Sequence, residues 1–410
     1  MKASVLFVWL TTTLGGSLAA AVVKDIAKDV PPAHKEFVLF KSSNMAGADK
    51  LANGVGFHSF RVPAVVTTST GRVLAFAEGR RHDNRDLGDV KVVMKRTKTV
   101  NSHGSNPSDW ESLQVVTKDD GVWGNPTPVV DGPTIYLFLS WNNAKYSRDG
   151  EDRLPNGKKT KKVDGSWKSR RHTYLTQSTD DGQTWSEPRE MTRQLTPGGR
   201  GWDVVGPGNG IVLTSGEVVV PAMGRNIVGK GTPGQRTWSY KRLKGAGAEG
   251  TIVQTPDGKL YRNDRAGKDE EYRKIARGTL AKFGSFTLDK GLPDPDCAGA
   301  TLLFNRADDK GPARVVFLNS ADKNTRRAMR VRISYDKNAK EYSHGRKLSD
   351  APVSGAGNEG GYASLTKTAD SEIGALVETD FDQTGGSKDD YHAIIWRKFN
   401  LSWVLHGPKK

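Results

Sequence analysis

Ser178-Thr179-Asp180-Asp181-Gly182-Gln183-Thr184-Trp185 fits the pattern Ser-x-Asp-x-Gly-x-Thr-Trp, and its reading decides the fold. Short polar side chains such as Ser and Asp bond the backbone groups of their own turn, so the segment reads as a hairpin turn with Trp185 packed underneath. Its residues make a turn, not a catalyst. Ser334-Tyr335-Asp336 with Tyr342 reads as a degenerate copy and Asp109-Trp110 as the remnant of another, each followed by a strand-like run. A recurring turn marks a repeat architecture. Around these turns lie short apolar runs: Phe37 to Phe40, Val62 to Thr67, Val73 to Phe76, Val90 to Met94, Ile135 to Leu139, Val218 to Val220, Val315 to Leu318 and Ile373 to Val377. Gly, Pro, Asn or Asp punctuates them, and few segments sustain a helical period. Many short strands in one long chain make either a pair of sandwiches or a propeller, which closes radially and leaves no long sheet edge exposed. The repeat points to the propeller.

With 410 residues and 35% hydrophobic content, the chain can bury a sizeable core. Its 46 Gly and 19 Pro make it turn-rich without low complexity, and 10 Trp argue against disorder. No internal apolar stretch reaches the roughly 18–20 residues of a membrane-spanning helix. Lys and Arg number 62 against 46 Asp and Glu, a net charge of +16 that draws anions of some kind to the surface. One cysteine, Cys297, excludes an intramolecular disulfide, a Cys-rich zinc site and a CxxC redox pair. Met1-Lys2, the apolar run Ala3 to Trp9 and Ala19-Ala20-Ala21 follow the order of a secretory signal. The expectation is a leader over 1–21, a secreted product, and one propeller domain over 22–410. Asn400-Leu401-Ser402 is a glycosylation tripeptide of a kind that also arises by chance. Lys145 to Arg171, crowded with basic residues, reads as a solvated loop between strands.

Three places read together resemble one family. Phe60-Arg61-Val62-Pro63 resembles the Phe/Tyr-Arg-Ile-Pro signature of exo-sialidases, Ser178 to Trp185 is similar to their Asp box, and Gly361-Tyr362-Ala363-Ser364 followed by Val377-Glu378 looks like their C-terminal Tyr and Glu pair. Each is a weak signal alone; their order and spacing make the match specific over about Phe37 to Phe399. The resemblance implies a six-bladed β-propeller with Asp-box hairpin turns and a site at the central axis. It implies terminal sialic acids as substrates, an arginine triad for their carboxylate, and no metal or organic cofactor.

An Arg fork pairs bidentately with a carboxylate. The resemblance gives this work to Arg61, Arg265 and Arg326, with Arg327 a rival for the third place. In a chain with 62 basic residues, the bland reading of any one of them is a surface ion pair. A carboxylate nucleophile would be repelled by the substrate's own carboxylate, and the family is among the exceptions that use tyrosine. Tyr362 fits that place. Tyrosine has an ordinary pKa near 10 and needs a base, for which the resemblance offers Glu249; Glu378 would orient Arg61. Structurally, either Glu could be a solvated strand-end carboxylate and Tyr362 a core aromatic.

The family's acid/base is an Asp on a loop after the second strand, matched here by Asp86, with Asp83 and Asp89 as alternatives. Arg80 is expected at the sugar's hydroxyl or amide edge. Asn125 stands where many bacterial relatives carry Asp, which puts the C5 substituent in question. The sequence looks closest to fungal secreted exo-sialidases, some of which prefer the deaminated acid KDN. Arg171 is the candidate for binding a C5 hydroxyl, although one member of a solvated basic loop is the plainer reading. Expected partners are sialylated or KDN-bearing glycans, with no nucleic acid or membrane, and the chain is expected to act as a monomer. A transferase would shape an aromatic acceptor site near the third arginine, and Asp322-Lys323-Asn324-Thr325 has no aromatic residue. An inactive glycan-binding propeller is the alternative from another class, and nucleic-acid binding, resting on charge alone, is the third.

Overall fold

A computed structural model describes residues 26–117, 119–307, 311–348, 359–379 and 393–407. The leader expected over 1–21 lies outside the described residues.

The strands form six antiparallel blades in chain order, a six-bladed β-propeller. The first blade holds Ser59–Thr67, Val73–Arg80, Val90–Arg96 and the edge pair Gln114–Val115. Val122–Asp131, Thr134–Asn142, His172–Ser178 and Arg189–Glu190 make the second. The third runs from Ile211–Val212 through Val218–Ala222 and Arg225–Lys230 to Thr237–Arg242. Gly250–Gln254, Leu260–Asp264, Tyr272–Gly278 and Thr287–Pro293 form the fourth. The fifth comprises Ala300–Asn305, Arg314–Ser320, Met329–Ser334 and His344–Lys347. In the sixth, Glu359–Lys367, Ile373–Thr379 and Ala393–Phe399 are completed by the N-terminal strand His34–Phe40. That strand pairs antiparallel with Ala393–Phe399, from His34 opposite Phe399 to Phe40 opposite Ile394. Backbone hydrogen bonds between the two ends of the chain therefore close the ring.

Both faces of a blade are covered by neighbouring blades, so an inner strand such as Ser59–Thr67 is buried along nearly its whole length. The apolar cores lie between blades. Leu376 and Trp396 of the sixth blade meet Phe60 and Val65 of the first, and Phe76 and Met94 of the first meet Trp123 and Leu137 of the second. The smallest apolar seams join the third to the fourth blade and the fourth to the fifth. Buried ion pairs accompany them, Arg262 with Asp264 at 2.8 Å and Arg273 with Asp294 at 2.9 Å, and a third, Arg225 with Asp203 at 2.6 Å, lies where the second blade meets the third.

All eight runs expected from the sequence lie within observed strands. The Ser178–Trp185 turn joins the third and fourth strands of the second blade. Asp180 accepts from Thr184 N at 2.9 Å, Ser178 Oγ accepts from Gly182 N at 2.9 Å, and Trp185 meets Phe76 of the preceding blade edge-on at 5.8 Å. The segments around Asp109-Trp110 and Ser334-Tyr335-Asp336 occupy the corresponding connection in the first and fifth blades.

The antiparallel order fixes two ends of the propeller. Starts of inner strands, ends of second strands and starts of third strands share one end, and the Ser178–Trp185 turn lies at the other.

The glycosylation tripeptide serves structure. Asn400 caps the helix Leu401–Leu405 by accepting from Trp403 N at 2.9 Å, and it also accepts from Ala33 N at 3.1 Å and donates to the Pro31 carbonyl at 2.8 Å. Ser402, 1% exposed, bonds the Val30 carbonyl. An N-cap is worth about 0.5–2 kcal/mol, and Asn400 adds ties to the segment leading into the closing strand. Asn400→Ala is therefore expected to lower stability by about 2 kcal/mol in urea unfolding, and Asn400→Asp, which keeps the acceptors but not the donor, by less.

Candidate active site

Glu378, with no exposed surface, ends the second strand of the sixth blade and accepts four hydrogen bonds. Two come from Arg61, Nε at 2.9 Å and Nη2 at 3.2 Å; the others come from Val62 N at 2.7 Å and Tyr362 N at 2.9 Å. Burial alone would raise its pKa, but the charge and hydrogen bonds of Arg61 and the two backbone donors outweigh that and lower it. Val62 has φ 53°, a left-handed conformation costly for a β-branched residue. The bond from its N–H to Glu378 holds it there, in a bulge between Arg61 and Ala64.

Tyr362 Oη lies 2.6 Å from both Glu249 oxygens and accepts from Arg265 Nη1 at 2.9 Å. Burial, then the negative charge of Glu249, lifts the tyrosine pKa well above its ordinary value; Arg265 and Arg326 pull the other way. The hydroxyl is thus neutral and donates its proton toward Glu249. Arg265 reaches Glu249 at 2.8 Å and is gripped bidentately by Asp296, Nε to Oδ1 at 2.6 Å and Nη2 to Oδ2 at 2.8 Å. The Arg326 guanidinium lies 5.5 Å from the centre of the Tyr362 ring. Its rival Arg327 turns outward to Asp322 at 2.8 Å with a side chain 65% exposed. Cys297 packs against Tyr362 and Val62, its thiol pushed up to about 12 by burial and hence unionised.

A second carboxylate organises the other wall. Glu78 lies near the end of the corresponding strand of the first blade. Its Oε2 accepts from Arg80 at 2.7 and 3.1 Å, and its Oε1 accepts from Asn125 N at 2.9 Å. Asn125 also has a left-handed φ of 55° and lies in a bulge. Arg171 donates to Asn125 Oδ1 at 3.0 Å and to Asn142, and its guanidinium lies 4.7 Å from the centre of the Trp202 ring.

At 2% exposure Arg171 is not part of a solvated loop, which corrects the plainer sequence reading. It immediately precedes the third strand of its blade and is drawn inward with that strand, while the lysines before it stay at the surface. Arg80 likewise is committed to Glu78 and the Asn84 carbonyl, so it braces the Asp86 loop from below.

Asp86 sits on that loop within the fields of Arg80, Arg171 and Arg61. Crowding by protein would raise its pKa, but these cations, Arg80 foremost, outweigh it and lower it. Its side chain remains open to water. Asp83 is tied to Arg85 at 2.7 Å and Asp89 to Lys91 at 3.3 Å, so both alternatives are spent on local cations. All ten sequence-derived candidates thus occupy one end of the propeller in two adjoining clusters.

The sequence reading missed Glu78, Asp296, Asn142 and Trp202. Glu78 was discoverable, because it follows its inner strand as Glu378 follows Tyr362; Asp296, in an irregular connection, carried no such signal. Among the described residues no group of three His, Cys, Asp or Glu side chains could hold a metal ion.

The chain matches the BNR repeat-like domain family over residues 71–375. It is 63% identical over 393 residues to a protein of Aspergillus fumigatus named exo-alpha-sialidase, across 95% of this chain and 96% of that one. A protein of the same name from Arthroderma benhamiae is 58% identical over 405 residues, across 98% of both chains. Among solved structures, the intramolecular trans-sialidase of Ruminococcus gnavus in complex with oseltamivir carboxylate shares the fold. Its TM-score is 0.69 at 16% identity, over 90% of this chain and 99% of that one.

Removing one partner of a buried ion pair typically costs about 3–5 kcal/mol. Glu378→Gln, which leaves Arg61 buried opposite a neutral amide, is expected to lose that much in urea unfolding. A Cβ on Gly361 would meet Glu378 Oε2 at 2.2 Å from a backbone with φ 76°, so Gly361→Ala should be at least as damaging.

Proposed function

The chain belongs to the exo-alpha-sialidase family, and from that membership we propose a retaining exo-glycosidase that releases terminal α-linked sialic acids with Tyr362 as nucleophile. The observation that carries this reading is the Tyr362 hydroxyl shared with Glu249 beneath the arginines.

In the proposed cycle the substrate carboxylate sits among Arg61, Arg265 and Arg326. Tyr362 Oη attacks the anomeric carbon as its proton passes to Glu249. The glycosidic C–O bond breaks, and Asp86 gives its proton to the departing alcohol. Asp86, now a base, then takes a proton from water, whose oxygen attacks the same carbon. The bond to Tyr362 breaks and Glu249 returns the proton. Guanidiniums held by Glu378 and Asp296 need little reorganisation as charge develops, which favours the oxocarbenium-like transition state.

The preference at C5 belongs to this proposal. Arg171 Nε is buried with no acceptor among the described residues. A C5 hydroxyl would supply one, which supports KDN as the favoured acid. The apolar run and small residues near the N-terminus support export after removal of 1–21.

Hydrolysis of two fluorogenic glycosides side by side, one of KDN and one of N-acetylneuraminic acid, tests the reading. Tyr362→Phe should lose turnover by about 10³-fold or more, and Asp86→Asn by about 10²–10⁴-fold on an alcohol leaving group but far less on an acidic phenol. Arg171→Met should erode the preference for KDN. The general acid must be protonated, and the three cations lower its pKa, so kcat/KM, which reports the free enzyme, should fall as pH rises through a value below 3.8. Bound carboxylate offsets those cations, so the same limb in kcat should lie higher. Unchanged turnover in Tyr362→Phe would mean a different nucleophile, and release from neither glycoside would leave a glycan-binding propeller.

A further inference from the structure

Residues 143–170 join the second and third strands of the second blade, between Asn142 and Arg171 of the site described above. The segment holds nine Lys or Arg against four Asp or Glu, a net +5 of the chain's +16. Its place in the blade puts it at the site end of the propeller. The segment has defined structure: Tyr146–Ser147 pairs with Lys161–Lys162, and Ser147 Oγ bonds Asp152 at 2.5 Å and Thr160 at 2.7 Å.

It also borders the mouth. Arg85 Nη2 donates to the Arg153 carbonyl at 2.8 Å, and the Leu154 side chain lies beside Gly88, so the segment rests on the loop that carries Asp86. On the far side the charge of Arg148 reaches Asp296, which grips Arg265.

Asp149 and Asp164 are exposed, and the other two acids are bonded within the segment. Asp152 is bonded to Ser147, Asp164 to Ser166 and Ser169, and Glu151 to Lys159 at 2.5 Å. Lys158, Lys161, Lys162 and Lys168 are exposed, and none faces a carboxylate within ion-pair distance among the described residues. We infer that this segment is a docking surface for polyanionic sialoglycans, chains bearing several carboxylates besides the one in the site. The inference rests on the sialidase reading.

Charge of one sign beside a mouth raises the local concentration of the opposite sign and speeds encounter by about 10–10³-fold. Salt at physiological strength screens it beyond about 8 Å. A substrate with one carboxylate, held in the site, gains little from lysines at the rim; a densely sialylated chain keeps other carboxylates over them.

The test compares kcat/KM for a densely sialylated mucin-type glycoprotein and for a fluorogenic monosialoside between about 25 and about 250 mM NaCl. The mucin value should fall about 10-fold and the monosialoside value less than about 2-fold. Combined Lys158→Gln, Lys161→Gln, Lys162→Gln and Lys168→Gln should flatten the mucin's salt dependence and lower its kcat/KM at low salt about 10-fold, leaving monosialoside turnover unchanged. Equal salt slopes for the two substrates, or a mucin slope untouched by the four replacements, would overturn the docking surface alone. No hydrolysis of the monosialoside by the unaltered protein would overturn the sialidase reading and the docking surface with it.

Discussion

Everything at the site end depends on the carboxylate of Glu378. It lies in the last blade and receives the Arg61 side chain and the Val62 amide of the first, so the seam where the ring closes is also where the site is built. The same carboxylate holds the amide of Tyr362. One buried anion thus fixes a cation, a strained backbone turn and the residue proposed as nucleophile. A buried carboxylate is costly unless fully bonded, and four donors meet that condition. The seam is also sealed further down the axis, where Asn209 from the third blade donates to the carbonyls of Val65 and Leu365 at 2.8 and 2.9 Å.

Glu78 repeats the device one blade on. In both cases a Glu near the end of a second strand reaches the amide of a left-handed residue that precedes a proline in the next inner strand, Val62-Pro63 or Asn125-Pro126. Proline restricts the residue before it, and the bulge turns the following strand inward while aiming Arg61 or Asn125 at the axis. Gly124 and Gly361 complete the two copies: a Cβ on either would fall 2.3 or 2.2 Å from the organising carboxylate. The repeat of the fold is therefore also a repeat of how the site is held, with the strain located where side chains must be aimed.

The sequence was most legible where local chemistry is self-contained. Strands such as Val73–Arg80 are apolar on both faces because blades cover both, and the Ser178–Trp185 turn bonds itself. Edge strands such as Thr237–Arg242 and Thr287–Pro293 were not visible, since they face water and show no clean alternation. The candidate residues came from resemblance and spacing; which of Arg326 and Arg327 turns inward depends on a backbone that no spacing specifies. Arg171 was misjudged because the lysines before it, Lys168 among them, really are at the surface, and only the start of the third strand draws it in. Glu78 could have been read from its spacing to the inner strand, as Glu378 was, whereas Asp296 acts from an irregular connection that no pattern marks.

The way the arginines are held bears on the proposed chemistry. Arg61 faces Glu378 and Arg265 faces Asp296, each through two of its nitrogens, and Arg326 donates to the Asp296 carbonyl at 3.4 Å. Clustered guanidiniums repel one another, and Arg326 feels both Arg265 and Arg61. Arg61 and Arg265, each held by a carboxylate through two nitrogens, form a rigid floor for an incoming carboxylate. Guanidiniums without such anchors would be too mobile to be preorganised. The fold places the anchoring anions behind the arginines, and under the proposed reading the substrate's own carboxylate completes the charge balance in front.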